Sequence, residues 1–167
     1  MKGPSDARQA SNAILRTWGA TITGDVLSLG SSTDQDGSGQ SYRSYFPRAS
    51  RYRTSEPAPY PGCDLVVDVR HMPEIASDSL DCVFCSGVLE HVDDVVAAVS
   101  ECHRVLKAGG IFLVGVPFYQ QVHRAPQDFW RFTEFGVRYL LRGFASLDIR
   151  TIGDTKRPSA YWARAVK

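Results

Sequence analysis

The chain has 167 residues, 43% of them hydrophobic, with 19 basic against 18 acidic side chains and a formal net charge of +1. That length is enough for one α/β domain over residues 1–167 burying roughly 70% of its unfolded surface, and the balanced charge offers no field to a phosphate backbone, which excludes nucleic acid as the default partner. No apolar run approaches the ~20 residues of a membrane helix and the opening MKGPSDARQA holds no apolar signal core, so a cytoplasmic chain that does not enter a membrane is expected.

In chain order, residues 6–18 carry helical spacing through Ala10, Ala13, Ile14 and Trp18, with Gly19 as the stop. Residues 25–29 read as the first strand. The segment that follows, GSSTDQDGSGQSYRS over 30–44, is either a surface loop or a ligand loop, since it leaves the carboxyl end of a strand, where backbone amides can approach a bound molecule. A short helical segment over 42–46, a second strand over 51–54 and a third over 64–68 come next. Pro57, Pro59 and Pro61 leave no helix between the last two. Arg43, Arg48, Arg51 and Arg53 read as a solvated basic face.

Residues 80–118 are the most informative stretch: strand, polar loop, amphipathic helix, Gly-Gly break, strand. Val95, Ala98, Val99, Cys102 and Leu106 place one apolar helical face, Asp93 and Asp94 favour its start, Lys107 lies at its end, and Gly109-Gly110 supply a left-handed stop before a strand over 111–116. This is a parallel βαβ unit. Because ligands bind outside the carboxyl ends of strands in open α/β sheets, the loop Ser86-Gly87-Val88-Leu89-Glu90-His91 is a candidate site wall. Thr133 offers an N-cap for a helix over 134–141 ending at Gly143, and strands over 147–152 and 161–166 close the sheet around a turn containing Gly153 and Pro158. The expected fold is α/β: a Rossmann-like, doubly wound, seven-stranded and mostly parallel sheet with an antiparallel last strand and helices on both faces. Cys82 and Cys85 are three apart on one strand, so they point to opposite faces; with no second CxxC they read as buried thiols, and no metal site is expected.

Five motifs in order over residues 26–144 resemble the class I S-adenosylmethionine-dependent methyltransferases, in particular their small-molecule branch. They are Val26-Leu27-Ser28-Leu29-Gly30; Val67-Asp68-Val69-Arg70-His71-Met72-Pro73; Val88-Leu89-Glu90-His91; His103-Arg104-Val105-Leu106-Lys107-Ala108-Gly109-Gly110; and Val116-Pro117-Phe118 followed by His123 and Asp128-Phe129-Trp130-Arg131-Phe132-Thr133. The resemblance implies S-adenosylmethionine as cofactor, with Gly30, Ser31 and Ser32 in the loop at the methionine moiety, Asp68 and Val69 at the adenine, and Ser86 and Gly87 along the methionine arm. Ser28, Ser32 and Ser55 depart from its pattern. Ser55 stands where an acid would hold the ribose hydroxyls, with Glu56 beside it as the substitute, although neighbours on a strand point oppositely.

The implied chemistry is methyl transfer to an oxygen, nitrogen or carbon of a small-molecule acceptor, as in secondary metabolism or glycan tailoring. His123 is the first candidate base and His91 the second, because an imidazole titrates near neutral pH; Asp128 and Arg131 either orient His123 or form a structural ion pair. Phe129, Trp130 and Phe132 are candidates for the acceptor wall. Only the first helix and residues 119–133 can cap the site, which makes a homodimer a reasonable partner arrangement. The rival from another class is a non-catalytic methyltransferase-like scaffold that, through Ser28, Ser32 and Ser55, has lost the ribose and sulfonium contacts and works as a partner protein. A nicotinamide enzyme is disfavoured because GSSTDQ lacks G-x-G-x-x-G.

Overall fold

The computed structural model describes residues 5–167; residues 1–4, the start of the segment read as lacking a signal core, lie outside them. Helix α1 (Asp6–Gly19) starts on Ser5, whose hydroxyl accepts the Arg8 amide, and its stripe of Leu15 and Trp18 is buried. Strands β1 (Gly24–Leu29), β2 (Ala49–Glu56), β3 (Leu65–Val66), β4 (Leu80–Ser86), β5 (Leu106–Pro117), β6 (Ser146–Asp154) and β7 (Arg157–Val166) form one seven-stranded sheet in the order β3-β2-β1-β4-β5-β7-β6. The first five are parallel, and β7 runs antiparallel to both β5 and β6. Helices α2 (Val95–Val105) and α3 (Glu134–Leu140) complete the elements, with a one-turn 3-10 helix at Tyr42–Tyr45 and another at Leu89–His91.

The strand period of two divides the core. Leu27, Val83, Cys85, Phe112 and Val114 face α2 and α3, while Val26, Cys82, Phe84, Leu113 and Trp162 face α1 and Tyr45. Cys82 and Cys85 therefore lie on opposite faces, both fully buried, and all four cysteines are free. Phe84 stacks on Trp162 at 6.0 Å between centroids, a contact that requires glycine at 115, where a Cβ would lie 2.8 Å from the Trp162 ring.

Two local expectations are corrected. Helix α2 ends at Val105, and Lys107, Gly109 and Gly110 belong to β5: Leu80 pairs with Leu106 and Cys82 with Ile111, so the intervening residues bulge, with Gly109 at φ 77° serving the bulge rather than a helix stop. Lys107 bonds Asp81 at 2.8 Å across that bulge. Gly153 and Pro158 face each other within the β6–β7 ladder, and the turn itself is Thr155-Lys156. The loop after β1 is held by two carboxylates: Asp34 accepts from Ser41, Arg43 and Tyr52, and buried Asp36 accepts from Ser38, Gln40 and Tyr45. Burial opposes its charge, yet hydrogen bonds from the Ser38 and Tyr45 side chains and the Ser38 and Gln40 amides hold the Asp36 carboxyl down at about 2.

Candidate functional site

A cavity of about 560 Å³ opens at the carboxyl ends of β1, β2 and β4. Gly30, Glu56, Asp68, Val69 and Gly87 line it, as does His91. Gly30 and Gly87 adopt φ of 58° and 66°, a backbone region that glycine enters without steric cost. At Gly30 a Cβ would lie 2.6 Å from Val88 Cγ2, so the strand-to-loop turn is open only to glycine.

The four serines in the expected cofactor set do not line the cavity. Ser55 is fully buried and donates to the Ser28 carbonyl at 2.9 Å; Ser31 donates to the same carbonyl at 2.8 Å, and the Ser31 amide bonds the Ser55 carbonyl at 3.0 Å. These bonds lock the turn beneath Gly30. Ser32, at φ 48°, gives its amide to the Glu56 carboxylate, and the Ser86 hydroxyl lies 3.4 Å from that of Tyr42. Opposite pointing of neighbours on β2 thus puts Glu56 in the cavity and Ser55 under it. Of the three serines behind the non-catalytic reading, Ser55 thus has a carboxylate beside it that lines the cavity.

Beyond β3, the Asp68 carboxylate receives the Arg70 amide at 2.9 Å and the Arg70 guanidinium at 2.7 Å, and the same guanidinium bonds Asp93 at 2.8 Å. The Arg70 hydrogen bond holds the Asp68 carboxyl below its ordinary range. Arg70, Asp93, Arg124, Gln127 and Phe129 are lining residues that the sequence reading did not single out as cofactor ligands, although Phe129 was expected at the acceptor wall. The strand-end rule could have found Asp93, which follows the β4 loop; Arg124 and Gln127 arrive only through the fold of residues 119–133.

That segment is buckled by Asp128, whose carboxylate accepts the His123 amide at 2.7 Å and Arg131 at 2.7 and 2.9 Å. The Arg131 guanidinium keeps the Asp128 carboxyl well below the usual range. His123 Nδ1 is 3.6 Å from Asp128 Oδ2 and instead meets the Gln121 carbonyl at 3.1 Å, so Asp128 and Arg131 form a structural ion pair. Trp130 donates Nε1–H to the Val92 carbonyl at 2.7 Å and Phe132 is buried in the core, which leaves Phe129 as the one of the three aromatics on the cavity wall. Helix α1 packs on β6, β7 and the Tyr42–Tyr45 turn and contributes no lining residue, contrary to its expected role as a cap.

His123 does not line the cavity, but its ring meets that of His91 edge to face at 4.7 Å between centroids. Beneath them lies Glu90, 2% exposed, its Oε1 4.0 Å from His91 Nε2. Burial pushes the Glu90 carboxyl up. The backbone carbonyl of Glu90 accepts the Phe129 amide at 2.7 Å, which ties the β4 loop to residues 119–133.

A methyltransferase-domain family model matches residues 46–114. A probable S-adenosylmethionine-dependent methyltransferase of Mycolicibacterium smegmatis is 45% identical over 56 residues, which is 30% of this chain and 21% of that protein. The ubiquinone biosynthesis O-methyltransferase of Hahella chejuensis is 31% identical over 74 residues, 44% of this chain and 29% of that protein. The matches thus span under a third of these curated relatives. Among solved structures, 1,6-didemethyltoxoflavin-N1-methyltransferase of Burkholderia thailandensis superposes with a TM-score of 0.70 at 21% identity, covering 96% of this chain and 78% of that one. The N-methyltransferase NodS of Bradyrhizobium japonicum gives 0.72 at 12% identity, covering 99% and 89%. The family model covers residues 46–114, the centre of the chain, and the fold shared with the solved methyltransferases extends through β7.

Proposed function

We propose that this domain, acting as one unit over residues 1–167, transfers a methyl group from S-adenosylmethionine to a small-molecule acceptor. The observation that carries the reading is the cavity at the strand ends, where one carboxylate from β2, one from the β3 turn and two positive-φ glycines converge. When bound, S-adenosylmethionine supplies an electrophilic methyl group on a cationic sulfur. Glu56 would accept from both ribose hydroxyls, a charge-assisted pair that a serine cannot make. Asp68 would accept from the adenine amino group, and the Val69 amide would face a ring nitrogen. Gly30 and Gly87 leave room for close backbone approach, and Ser31, Ser32, Ser55 and Ser86 act by holding the turns around them. Glu56, Asp68 and Asp93 set against Arg70 and Arg124 leave the lining with a small excess of negative charge, which suits a cationic ligand.

On the acceptor side, His91 lines the cavity and His123 packs on its ring. A base is needed only when the attacking atom carries a proton, and these two imidazoles are the groups placed to receive it, His91 directly and His123 behind it. Alignment of the acceptor and exclusion of water would supply most of the acceleration. The relatives named for a ubiquinone-pathway O-methylation and a toxoflavin N-methylation support a small acceptor. Exposed Tyr119, Val122 and Phe129 on the segment beside the cavity support closure by a second copy of the chain. Four free cysteines fit a reducing cytoplasm, and among the described residues no helix is long and apolar enough to cross a membrane.

Titration of the purified chain with S-adenosylmethionine and S-adenosylhomocysteine by calorimetry tests the reading. Micromolar binding that Asp68→Ala and Glu56→Gln both weaken is expected. Absence of binding at millimolar ligand would overturn it in favour of the non-catalytic scaffold.

A further inference from the structure

Glu90, His91 and His123 each offer one ligand atom, and the three atoms lie within 4.8 Å of one another. The Glu90 side chain is 3% exposed, and its Oε2 has no hydrogen-bond partner among the described residues. A buried carboxylate oxygen left unpaired is costly, and a missing ion is one of the few ways such a group is satisfied. Backbone hydrogen bonds fix which nitrogen of each ring is free to bind an ion. His91 Nδ1 bonds the Gln127 carbonyl and His123 Nδ1 the Gln121 carbonyl. A carbonyl only accepts, so each Nδ1 carries the hydrogen and each Nε2 keeps its lone pair, the arrangement by which a backbone carbonyl sets the tautomer of a metal-binding histidine.

We propose that Glu90, His91 and His123 bind a divalent transition-metal ion at the edge of the cavity. Two imidazoles and one carboxylate, with no thiolate, suit Zn²⁺ and its neighbours better than the oxygen-seeking Mg²⁺ or Ca²⁺. Tetrahedral bonds of about 2.0–2.2 Å place ligand atoms roughly 3.4 Å apart, so the set closes on an ion by side-chain shifts of about 1 Å, and His123, one-third exposed on its loop, is the ring free to make them. Arg131, the arginine of this segment whose charge acts on Glu90, is already paired with Asp128. Three protein ligands leave a position open, and that position borders the cavity: His91 lines it, and a Cβ on Gly87 would stand 3.5 Å from Glu90 Oε1. There the ion would take an oxygen or nitrogen of the acceptor and favour its deprotonated form, in place of the imidazoles as bases, since it engages their Nε2 lone pairs. Only this last role rests on the methyl-transfer reading; the ion site itself does not.

The test is calorimetric titration of the chelator-treated full chain with Zn²⁺, alongside S-adenosylhomocysteine titrations of the same preparations. One equivalent of Zn²⁺ should bind, Glu90→Gln and His123→Ala should each weaken it by at least about tenfold, and Cys63→Ser should leave it unchanged. Co²⁺ added to the unaltered chain, which needs no variant to fold, should give visible bands of a nitrogen and oxygen site. No saturable Zn²⁺ binding, binding indifferent to both variants, loss in Cys63→Ser, or a thiolate charge-transfer band with Co²⁺ would each overturn the proposal. Zn²⁺ binding without S-adenosylhomocysteine binding would uphold the ion site while removing the methyl-transfer reading, and the reverse would do the opposite.

Discussion

Ser55 and Glu56 are adjacent at the end of β2 and face opposite ways: Glu56 lines the cavity and accepts the Ser32 amide, while Ser55, fully buried, donates to the Ser28 carbonyl at 2.9 Å. The pleat of the strand puts the Glu56 carboxylate, and not the side chain of residue 55, at the cavity.

Glu56→Gln is therefore expected to weaken S-adenosylhomocysteine binding by about tenfold to a hundredfold, the equivalent of roughly 1 to 3 kcal/mol for a lost charge-assisted pair. Ser55→Asp should not improve binding. It would bury a carboxylate with no cation beside it, at a cost of about 3 kcal/mol or more, which for a chain of this size lowers the melting temperature by roughly 6 to 12 °C. Calorimetry and thermal unfolding of the two variants separate these effects.

Asp68→Ala should reduce cofactor affinity by a similar factor and leave the fold intact, because the Asp68 and Arg70 side chains are 43% and 45% exposed and an ion pair at such exposure adds little stability. Unchanged affinity would place the adenine elsewhere.

Gly30→Ala should destabilise the turn by about 1 to 2 kcal/mol through its positive φ alone, with a further penalty from the 2.6 Å approach to Val88 Cγ2. Adding Val88→Ala should relieve the second part and not the first. A double-mutant cycle by denaturant unfolding measures the coupling.

Glu101 gives a pH prediction. Arg104, one turn along α2, bonds its carboxylate at 2.7 Å, and the Met72 amide does so at 2.7 Å, fastening the chain that follows Asp68 to α2. Despite some burial, the Arg104 hydrogen bond holds the Glu101 carboxyl at about 2. A carboxylate depressed on folding contributes its full stabilisation above the ordinary carboxyl value of 4.5 and loses it as pH falls towards about 2. Glu101→Gln should be less stable at neutral pH and show a flatter decline across that acid range, as read by urea unfolding at successive pH values.

Much of this architecture was legible along the chain. The caps Ser5 and Thr133, the apolar stripe of α2 and the alternation on β4 depend on residues a few positions apart, and the motifs at Gly30, Asp68 and Gly87 fall at strand ends, where an open α/β sheet places its ligands. The β5 bulge was not legible, because Gly109-Gly110 after a helix is also the local signature of a helix stop, and only pairing of Leu106 with Leu80 decides between the two. Nor could the chain order alone seat Glu56 in the cavity and Ser55 beneath it, since that depends on which face of β2 the loop after β1 folds over. His91 and His123 were each visible as single candidates. Their meeting over buried Glu90 required the Phe129 amide on the Glu90 carbonyl and the Asp128 buckle, contacts between distant segments that no local pattern encodes.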